Sequence, residues 1–308
     1  MTHRFPERRA PAGDVCAVMV TFHPDGALPS RVERIAPQVA LTVIVDNGSG
    51  EPAAAMLHTL ARRPGVALLA NPENLGIAQA LNRGVRHAAE RGYTWALLLD
   101  QDTEVDADML AALLAAHAAF PEAGRVAVIG CQFRDTGGRP AESLPMTAQG
   151  DEWREVESVI TSGSLLSLRN YAAIGAFRED FFIDYVDTEY CLRARAAGFR
   201  IIETRRALMA HTVGAPTRHR ILGYAKWTTN HSPDRRYYIA RNNTVLLREY
   251  GTMKGGSWRW KSIMRCVRLC KRIAFFEHDK IPKIVAVAQG WWDAMQGNMG
   301  PRGRRTSP

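Results

Sequence analysis

The chain has 308 residues, of which 46% are hydrophobic, and it carries a formal net charge of +9 at neutral pH. A chain of this length buries a core large enough to fold without disulfides or a structural metal. Its five cysteines include no Cys-x-x-Cys pair, so neither a zinc cluster nor a disulfide framework is indicated, and a reducing cytoplasm fits best.

The N-terminal segment lacks the apolar run of a signal peptide, and no uncharged apolar stretch of about 18 residues predicts a membrane-spanning helix. The basic excess is uneven, because residues 200–272 and the C-terminal tail are rich in Arg and Lys. Such a distribution fits nucleic acid, an anionic membrane surface or a phosphorylated substrate, and charge alone does not choose among them.

Strands and helices alternate along the first half of the chain. The apolar runs predict strands at 15–22, 41–50, 65–71 and 93–100. The intervening segments predict helices at 28–39, 51–63, 76–92 and 107–120. Strands that alternate with helices of this length predict right-handed crossovers and a mostly parallel α/β sheet flanked by helices.

The rhythm changes after a further strand at 125–133. Residues 134–157 are expected to form loops or short edge strands, and residues 158–169 a strand. A helix is predicted at 187–199, strands at 200–203 and 207–211, and only loops and helices from 213 onward. The expected organisation is a flexible N-terminus (1–14), a catalytic domain (15–212), a C-terminal helical region (213–298) and a disordered basic tail (299–308).

Polar residues stand where the predicted parallel strands end. The second strand ends in Asp46, and the fourth ends in Asp100 with Asp102 two residues later. Ligands of open parallel sheets bind beyond the carboxyl ends of the strands, so these side chains are expected to share one cleft.

Asp100 and Asp102 are spaced so that both side chains point the same way in extended chain. Two carboxylates suit Mg²⁺ or Mn²⁺, since Mg²⁺ keeps waters and shares its ligands with a substrate's phosphates. The alternative is an acidic turn facing solvent.

The sequence lacks the glycine-rich loops by which many proteins bind nucleotides. No G-x-G-x-x-G follows the first strand and no P-loop is present, which argues against dinucleotide redox chemistry and P-loop ATP hydrolysis. Asp46 could accept a hydrogen bond from a pyrimidine ring N–H, although a turn or capping role in "DNGSG" is equally open.

An ordered set of motifs resembles the family 2 inverting glycosyltransferases of the GT-A fold over roughly residues 15–212. The motifs are "VTFHPD", "VDNGS", "NPENLGIAQALNRG", "LLLDQDTE", "TSGSLLSLR" and "FFIDYVDTEYCLRARAAGF". "DQDT", "FIDYVDTEYCLRA" and "NHSPDRRYYIARN" resemble bacterial rhamnosyltransferases in particular. Together with "EHDKIPKIVAVAQGWWDAMQG", the pattern is most similar to enzymes that add the second rhamnose in rhamnolipid biosynthesis.

The resemblance implies a role for each matching residue. Asp187 stands where the family has its catalytic base, and metal ligands are implied at Asp100, Asp102 and His211. The implied nucleotide-sugar site consists of Thr21, Phe22, Asp46, Asn47, Asn74, Gly76, Asn82, Asp100 and Gln101. The residues implied beside the donor sugar and the acceptor are Ser162, Gly163, Asp184, Glu189, Arg236 and Arg241.

The chain departs from the family pattern in two places. Many relatives have Arg where this chain has Gln79, and the Glu-Asp pair often found before the base is Val186-Asp187 here. The base is therefore Asp187 or a neighbouring acid, Asp184 or Glu189.

Structural alternatives stand beside several of these roles. A capping role is the alternative for Asp187, and a structural role is the alternative for His211. For Arg236 and Arg241 the alternative is a solvated or ion-paired helix face.

The implied reaction transfers L-rhamnose from dTDP-L-rhamnose to a hydroxyl of a glycolipid or lipid-linked acceptor, with Mg²⁺ or Mn²⁺ as cofactor. Conversion of mono-rhamnolipid to di-rhamnolipid is the first expectation, and O-antigen or exopolysaccharide assembly is the alternative. A nucleotidyltransferase would need a basic glycine-rich loop after the first strand, and "TFHPDGALPSR" does not resemble one. A nucleic-acid-binding protein would need a basic and aromatic surface without the acidic pair, so no nucleic-acid partner is expected.

The segment 258–276 predicts a basic amphipathic helix. Trp260, Ile263, Met264 and Val267 share one face, and Lys261, Arg265, Arg268 and Arg272 share the other. Such a helix fits peripheral binding at the inner face of the cytoplasmic membrane. Packing on the catalytic domain with a solvated cationic face is the alternative.

Overall fold

The apolar strands of the first half form a sheet that is covered by helices on both faces. The computed structural model describes residues 12–135, 146–211, 217–221, 224–228, 230–252 and 258–303. In β1 (Val15–Thr21) every residue is buried, as expected for a central parallel strand. The predicted N-terminal segment up to residue 11 lies outside the described residues.

The remaining elements follow in chain order. The other strands are β2 (Leu41–Asp46), β3 (Val66–Ala70), β4 (Trp95–Asp100), β5 (Glu104–Val105), β6 (Val126–Asp135), β7 (Met146–Gln149), β8 (Trp153–Val156), β9 (Ser164–Ser167), β10 (Arg200–His211), β11 (Thr217–Ile221) and β12 (Tyr224–Thr228). The α-helices are α1 (Leu28–Ile35), α2 (Ala53–Leu60), α3 (Ile77–Glu90), α4 (Met109–Ala119), α5 (Leu168–Ile174), α6 (Val186–Ala196), α7 (Pro233–Tyr250), α8 (Trp258–Phe276) and α9 (Lys280–Gln296).

One sheet organises the described part of the first two thirds of the chain. Its strand order is β3-β2-β1-β4-β9-β6-β10-β8-β7, and β5 pairs with β10. Strands β3, β2, β1 and β4 are mutually parallel, whereas β9 runs antiparallel between β4 and β6. The mixed α/β sheet with flanking helices confirms the predicted fold class.

Alternation along β1 explains the two core layers. Cys16, Val18 and Val20 join the layer beneath α3 and α6, which includes Leu81. The intervening residues of β1 pack with the layer beneath α1, α2 and α4. Successive side chains of a strand point to opposite faces, so a continuous apolar run serves both layers.

The second half contains corrections to the predicted elements. The predicted strand 158–169 is strand only at Ser164–Ser167, because α5 begins at Leu168 with the Ser167 side chain as its N-cap. The two strands predicted at 200–203 and 207–211 form one irregular strand, β10. An antiparallel hairpin, β11–β12, stands where only loops and helices were expected.

From Pro233 onward the described part of the C-terminal region is helical, as predicted, and it packs on the sheet domain. Helices α7, α8 and α9 meet at a small core that contains Ala240, Ile273 and Val287. Part of the predicted tail also makes contacts, since Gly300 N donates to Asp180 O at 2.8 Å. Within the described ranges, no helix has both the length and the apolar character to cross a membrane.

Candidate active site

The register of the parallel strands places two aspartates on either side of the end of β1. Asp46 lies beside Thr21 in the β1–β2 pair, and Asp100 lies beside Val20 in the β1–β4 pair. Neighbouring strands are about 4.8 Å apart, so the two residues are separated by roughly 10 Å across β1. The two predicted strand-end aspartates therefore border one edge of the sheet.

Asp46 is buried and held in one orientation by its neighbours. Its Oδ1 accepts hydrogen bonds from Thr21 Oγ1 at 3.2 Å and from Ser49 Oγ at 2.5 Å, and its Oδ2 accepts from Ser49 N at 3.1 Å. Ser49 Oγ in turn accepts from His23 N at 2.8 Å. A carboxylate has about four lone-pair sites, so these three bonds leave room for one further donor.

Gln101 joins the end of β1 to the acidic turn at 100–102, where β4 ends. Its Oε1 accepts from Phe22 N at 2.7 Å, and its Nε2 donates to Phe22 O at 3.1 Å. Arg31 Nη1 donates to the Gln101 carbonyl at 3.0 Å. The amide of Gln101 is thus bonded to backbone, while the Phe22 ring stays 41% exposed and open to a ligand.

The loop at 161–163 contacts both ends of the site. Ser162 Oγ accepts from Asp100 N at 3.1 Å and lies 2.5 Å from Thr103 Oγ1. Thr161 N donates to Asp187 Oδ2 at 3.2 Å. Asp100 and Asp187 are therefore linked through two consecutive residues of one loop.

Gly163 can occupy its position only because it has no side chain. Its φ of +75° lies in the left-handed region, and an added Cβ would come within 2.6 Å of Met209 Sδ. Its N–H donates to Leu98 O at 2.9 Å, which fixes the loop on β4. This residue, predicted beside the sugar and acceptor, therefore also serves to hold the loop.

Asp187 lies in the first turn of α6 and accepts three hydrogen bonds. Besides Thr161 N, its donors are Thr188 N at 2.6 Å and Thr188 Oγ1 at 3.2 Å. Burial raises the pKa of Asp187, these hydrogen bonds oppose the rise, and the Asp184 carboxylate adds to it. A raised pKa brings a carboxylate closer to the range in which it exchanges protons near neutral pH.

The segment before Asp187 has a costly backbone conformation. Phe182, Asp184 and Tyr185 all have positive φ, between 62° and 64°. Such non-glycine conformations cost on the order of 1–3 kcal/mol each and persist only where the surroundings impose them. The segment 181–185 must therefore be held by contacts from other elements.

Helix α7 supplies most of those contacts. Asn242 Nδ2 lies within 2.9–3.0 Å of three carbonyl oxygens, those of Phe181, Ile183 and Asp184. Arg241, which is fully buried, donates to Asp180 O at 2.9 Å and to Phe181 O at 3.0 Å. Arg241 was predicted to contact a diphosphate or acceptor, and the structure places it under this loop.

Two further contacts complete the hold on segment 181–185. Ile77 N donates to Phe182 O at 2.7 Å, and Gly76 lies so close that an added Cβ would be 2.7 Å from that oxygen. Arg235 Nη2 forms an ion pair with Asp184 at 3.1 Å. Burial raises the pKa of Asp184, although Arg235 opposes the rise.

Several predicted site residues are engaged within the protein. Glu189 is buried and pairs with Arg193 at 2.9 Å while accepting from Tyr250 Oη at 3.0 Å. Arg236 is buried in an ion pair with Glu277. Near the N-terminus of α6, Glu189 and Asp184 are thus paired with arginines. The hydrogen bonds that the structure describes to Asp187 come from backbone N–H groups and a hydroxyl.

The predicted asparagines form the wall beneath the strand ends. Asn47 Nδ2 donates to Asn74 Oδ1 at 2.9 Å, and Asn71 Nδ2 donates to Asn47 Oδ1 at 2.9 Å. Asn82 lies deeper, where its amide bonds Phe177 through both its oxygen and its nitrogen. The amides of Asn47 and Asn71 position the loops around the strand ends, whereas the amide of Asn82 bonds the backbone of Phe177.

The acidic turn fits a cation that a substrate helps to hold. Asp100 is half-buried and Asp102 is exposed, and the charge of Asp102 adds to the effect of Asp25 in raising the pKa of Arg31. The residues that the structure describes contain no group of three or more His, Cys, Asp or Glu side chains able to hold a metal ion. Mg²⁺ commonly uses one or two carboxylates and completes its shell with water and phosphate oxygens, so these two residues meet that requirement.

The third predicted metal ligand can be placed only by its backbone. His211 follows Ala210, which pairs with Glu104 in the antiparallel β5–β10 ladder. That register brings the backbone of residue 211 next to the acidic turn. The side chain of His211 lies outside the described residues.

Four residues that the sequence did not single out shape this site. They are Ser49, Thr161, Arg235 and Asn242. Ser49 stands inside the quoted motif "DNGSG", so its position three residues after Asp46 could have indicated an Asx-type turn. The sequence does not indicate whether Arg235 or Arg236 pairs with Asp184, because that depends on how α7 is rotated about its axis.

The chain shares sequence with known proteins. A model of the family described as Glycosyl transferase family 2 matches residues 16–173, just over half of the chain. The dTDP-rhamnosyl transferase RfbF of Shigella flexneri is 28% identical over 251 residues, which cover 77% of this chain and 80% of that protein.

Solved structures share the fold at low sequence identity. Residues 1–349 of S. aureus TarS match with a TM-score of 0.58 and 12% identity, over 91% of this chain and 80% of that one. A longer TarS structure extends well beyond the chain, which spans 44% of its length. The mannosyltransferase PcManGT of Pyrobaculum calidifontis, solved with GDP-Man and Mn²⁺, matches with a TM-score of 0.55 and 16% identity, over 92% and 86% of the two chains.

Removing the Asn242 amide should release the strained segment. The two N–H groups of the Asn242 amide are shared among the three carbonyl oxygens, and its Oδ1 accepts from Arg241 Nε at 3.0 Å. Asn242→Ala therefore loses two donated hydrogen bonds and one accepted one, each worth about 0.5–1.5 kcal/mol, so we expect the free energy of unfolding to fall by roughly 1.5–4.5 kcal/mol. Hydrogen exchange in the native state should accelerate at 181–185. Asn170→Ala is the matched control, because it removes a buried asparagine that bonds Val126 O and does not touch this segment. Unchanged exchange at 181–185 in Asn242→Ala would contradict the role assigned to that amide.

Proposed function

The chain belongs to glycosyl transferase family 2, and we propose that it transfers L-rhamnose from dTDP-L-rhamnose to a hydroxyl of a glycolipid or lipid-linked acceptor. The glycosyltransferase activity follows from the family match and from the similarity to a dTDP-rhamnosyl transferase. The choice of rhamnose rests on that relative, which aligns over 77% of the chain. The observation that carries the proposal is the convergence of Asp46, Asp100 and Asp187 around one sheet edge in a chain of this family.

The end of β1 and β2 is the proposed site of the thymine base. The remaining lone-pair site of Asp46 can accept the ring N–H of thymine. The exposed Phe22 ring, whose backbone is held by Gln101, offers a face on which the base can stack. Thr21 keeps Asp46 oriented for this contact through its hydroxyl.

The diphosphate is proposed to lie over the acidic turn, with a divalent cation held by Asp100 and Asp102. A bound Mg²⁺ or Mn²⁺ would neutralise charge on the leaving diphosphate. Asp100 is kept in place by Ser162, and Gln101 holds the turn against β1. His211 belongs to the proposed ligand set through the position of its backbone.

Asp187 is the proposed general base. The acceptor oxygen attacks the anomeric carbon, its proton passes to the Asp187 carboxylate, and the bond from that carbon to the diphosphate oxygen breaks. The electron pair leaves with dTDP, and attack opposite the leaving group inverts the anomeric configuration. Neighbouring acids are less suited, because Asp184 and Glu189 are paired with Arg235 and Arg193.

The acceptor side is proposed to meet a membrane surface through α8 and α9. The apolar residues Trp260, Ile263 and Val267 of α8 point to solvent instead of packing on the sheet domain. A second exposed apolar face, with the spacing of one side of a helix, lies on α9 and consists of Ile281, Ile284, Val285, Trp292 and Met295. Basic residues beside such faces favour an anionic lipid surface, a contact that co-sedimentation with lipid vesicles measures.

A donor and acceptor screen tests the proposed function. The purified chain is incubated with dTDP-L-rhamnose, UDP-sugars or GDP-mannose, with Mg²⁺, Mn²⁺ or EDTA, and with mono-rhamnolipid or a diphosphate-linked lipid saccharide. We expect dTDP-L-rhamnose to be consumed in preference to the other donors, and only with a divalent cation. Preference for a UDP- or GDP-sugar, or no consumption of any donor, would contradict the proposal.

Asp187→Asn should lower turnover by about 10²- to 10⁴-fold, the usual contribution of a general base, while dTDP affinity stays near normal. A base works only when deprotonated, so wild-type activity should be lost as the pH falls through the raised pKa of Asp187, above the usual range of an aspartate. That acid limb should disappear from the residual rate of the variant.

Glu189→Gln is the control for this substitution, since Glu189 is paired with Arg193 and the variant should keep turnover within a few fold. Near-normal turnover in Asp187→Asn would sink the base assignment.

A further inference from the structure

A cleft with a strongly cationic lining lies between α7 and α8, beside the segment that carries the base. It encloses about 200 Å³, and Arg265, Arg268 and Arg272 line it from α8. The cleft is also lined by Ile239 and Asn243 of α7 and by Tyr185. None of the described lining residues belongs to the strand ends where the nucleotide is proposed to bind.

Arg268 and Arg272 bring two further positive charges to the cleft beside Arg265. The three arginines stand at i, i+3 and i+7 on α8, so they share one side of the helix and repel one another. None of the described residues that line the cleft is an acid. The nearby Glu277 is already shared between Arg236 and Lys283, with Lys283 Nζ at 3.2 Å.

The cleft is coupled to the active site through Tyr185. The Arg265 guanidinium donates a hydrogen bond to the Tyr185 side chain. Tyr185 is the N-cap residue of α6, and Asp187 follows two residues later in the first turn. An anion held by the arginines would therefore contact the residue from which the helix of the base begins.

The chemistry of the lining indicates the class of anion. Guanidinium groups match phosphate oxygens with paired, charge-assisted hydrogen bonds. A volume of about 200 Å³ is several times that of a water molecule, so it can take a phosphate or diphosphate group.

We propose that this cleft binds the phosphate group of a lipid. The lipid is either the acceptor, as a diphosphate-linked saccharide lipid, or a bilayer phospholipid. The acceptor assignment rests on the proposed transferase function, whereas the phosphate site itself does not.

Titration with farnesyl diphosphate and inorganic phosphate tests the site, with farnesol as the uncharged comparison. EDTA in the buffer keeps the metal-dependent donor site from binding the probes. Wild type is compared with Arg268→Gln/Arg272→Gln and with the control Arg259→Gln/Lys271→Gln, which removes the same charge from exposed positions of α8. Thermal unfolding verifies that all three proteins are folded.

We expect wild type and the control to bind farnesyl diphosphate equally, and the Arg268→Gln/Arg272→Gln variant to bind about tenfold more weakly or worse, because two charge-assisted contacts are lost. Equal affinity in the two double variants, or no phosphate binding by wild type to either probe or to vesicles, would overturn the proposal. Binding of farnesol as tight as that of its diphosphate would also overturn it.

Vesicles distinguish the two sources of phosphate. Vesicles of phosphatidylcholine with or without phosphatidylglycerol are added in co-sedimentation. The site is assigned to bilayer lipid if wild type does not bind farnesyl diphosphate and only Arg268→Gln/Arg272→Gln loses binding to phosphatidylglycerol vesicles. Farnesyl diphosphate binding that depends on the same arginines assigns it to the acceptor. Failure of the donor screen with intact phosphate binding would refute the transferase proposal and leave the cleft standing.

Discussion

The loop at 161–163 is the constraint on which the site depends. Ser162 connects this loop to Asp100 at the end of β4, and Thr161 connects it to Asp187 at the start of α6. Gly163 permits this path because its left-handed backbone leaves no space for a side chain against Met209. The loop exists because β9 enters the sheet antiparallel between β4 and β6, which turns the chain at the same edge where the parallel strands end. Residues more than eighty positions apart in sequence are thereby held in one site.

The second constraint is energetic. The segment 181–185 adopts three unfavourable backbone conformations, which local sequence alone would not sustain. The amide of Asn242 and the guanidinium of Arg241 hold its carbonyls, so the C-terminal helices stabilise the position of the base as well as packing on the sheet domain. Buried arginine is costly unless its donors are satisfied, and here several carbonyl oxygens accept from it. The same helices carry the arginine cleft and the exposed apolar faces. This arrangement couples the geometry of the active site to the proposed lipid side of the molecule.

Much of the fold and the position of the strand-end aspartates could be predicted from the sequence, for reasons that the structure makes clear. Apolar runs ending in Asp46 and Asp100 determine both a parallel strand and the edge at which its carboxylate lies, because strand direction and side-chain alternation are local properties. The helix at 258–276 was predicted with the limits that it has. Its apolar stripe was equally compatible with packing, and only tertiary structure shows Trp260 exposed. The pairing of Arg235 with Asp184, the role of Asn242 and the early end of β9 depend on contacts distant in sequence, which periodicity does not report. Family resemblance located Asp187, whereas the hydrogen bond from Thr161 explains its position.

The central claim is that one sheet edge holds the nucleotide, the metal and the base together. A crystal structure of the chain with dTDP and Mn²⁺ measures this directly. The account predicts thymine beside Asp46 and Phe22, Mn²⁺ between the diphosphate and the carboxylates of Asp100 and Asp102, and the Asp187 carboxylate facing the open side of the diphosphate. Ordered dTDP bound elsewhere, or bound at this edge with its diphosphate turned away from both aspartates of the acidic turn, would contradict it.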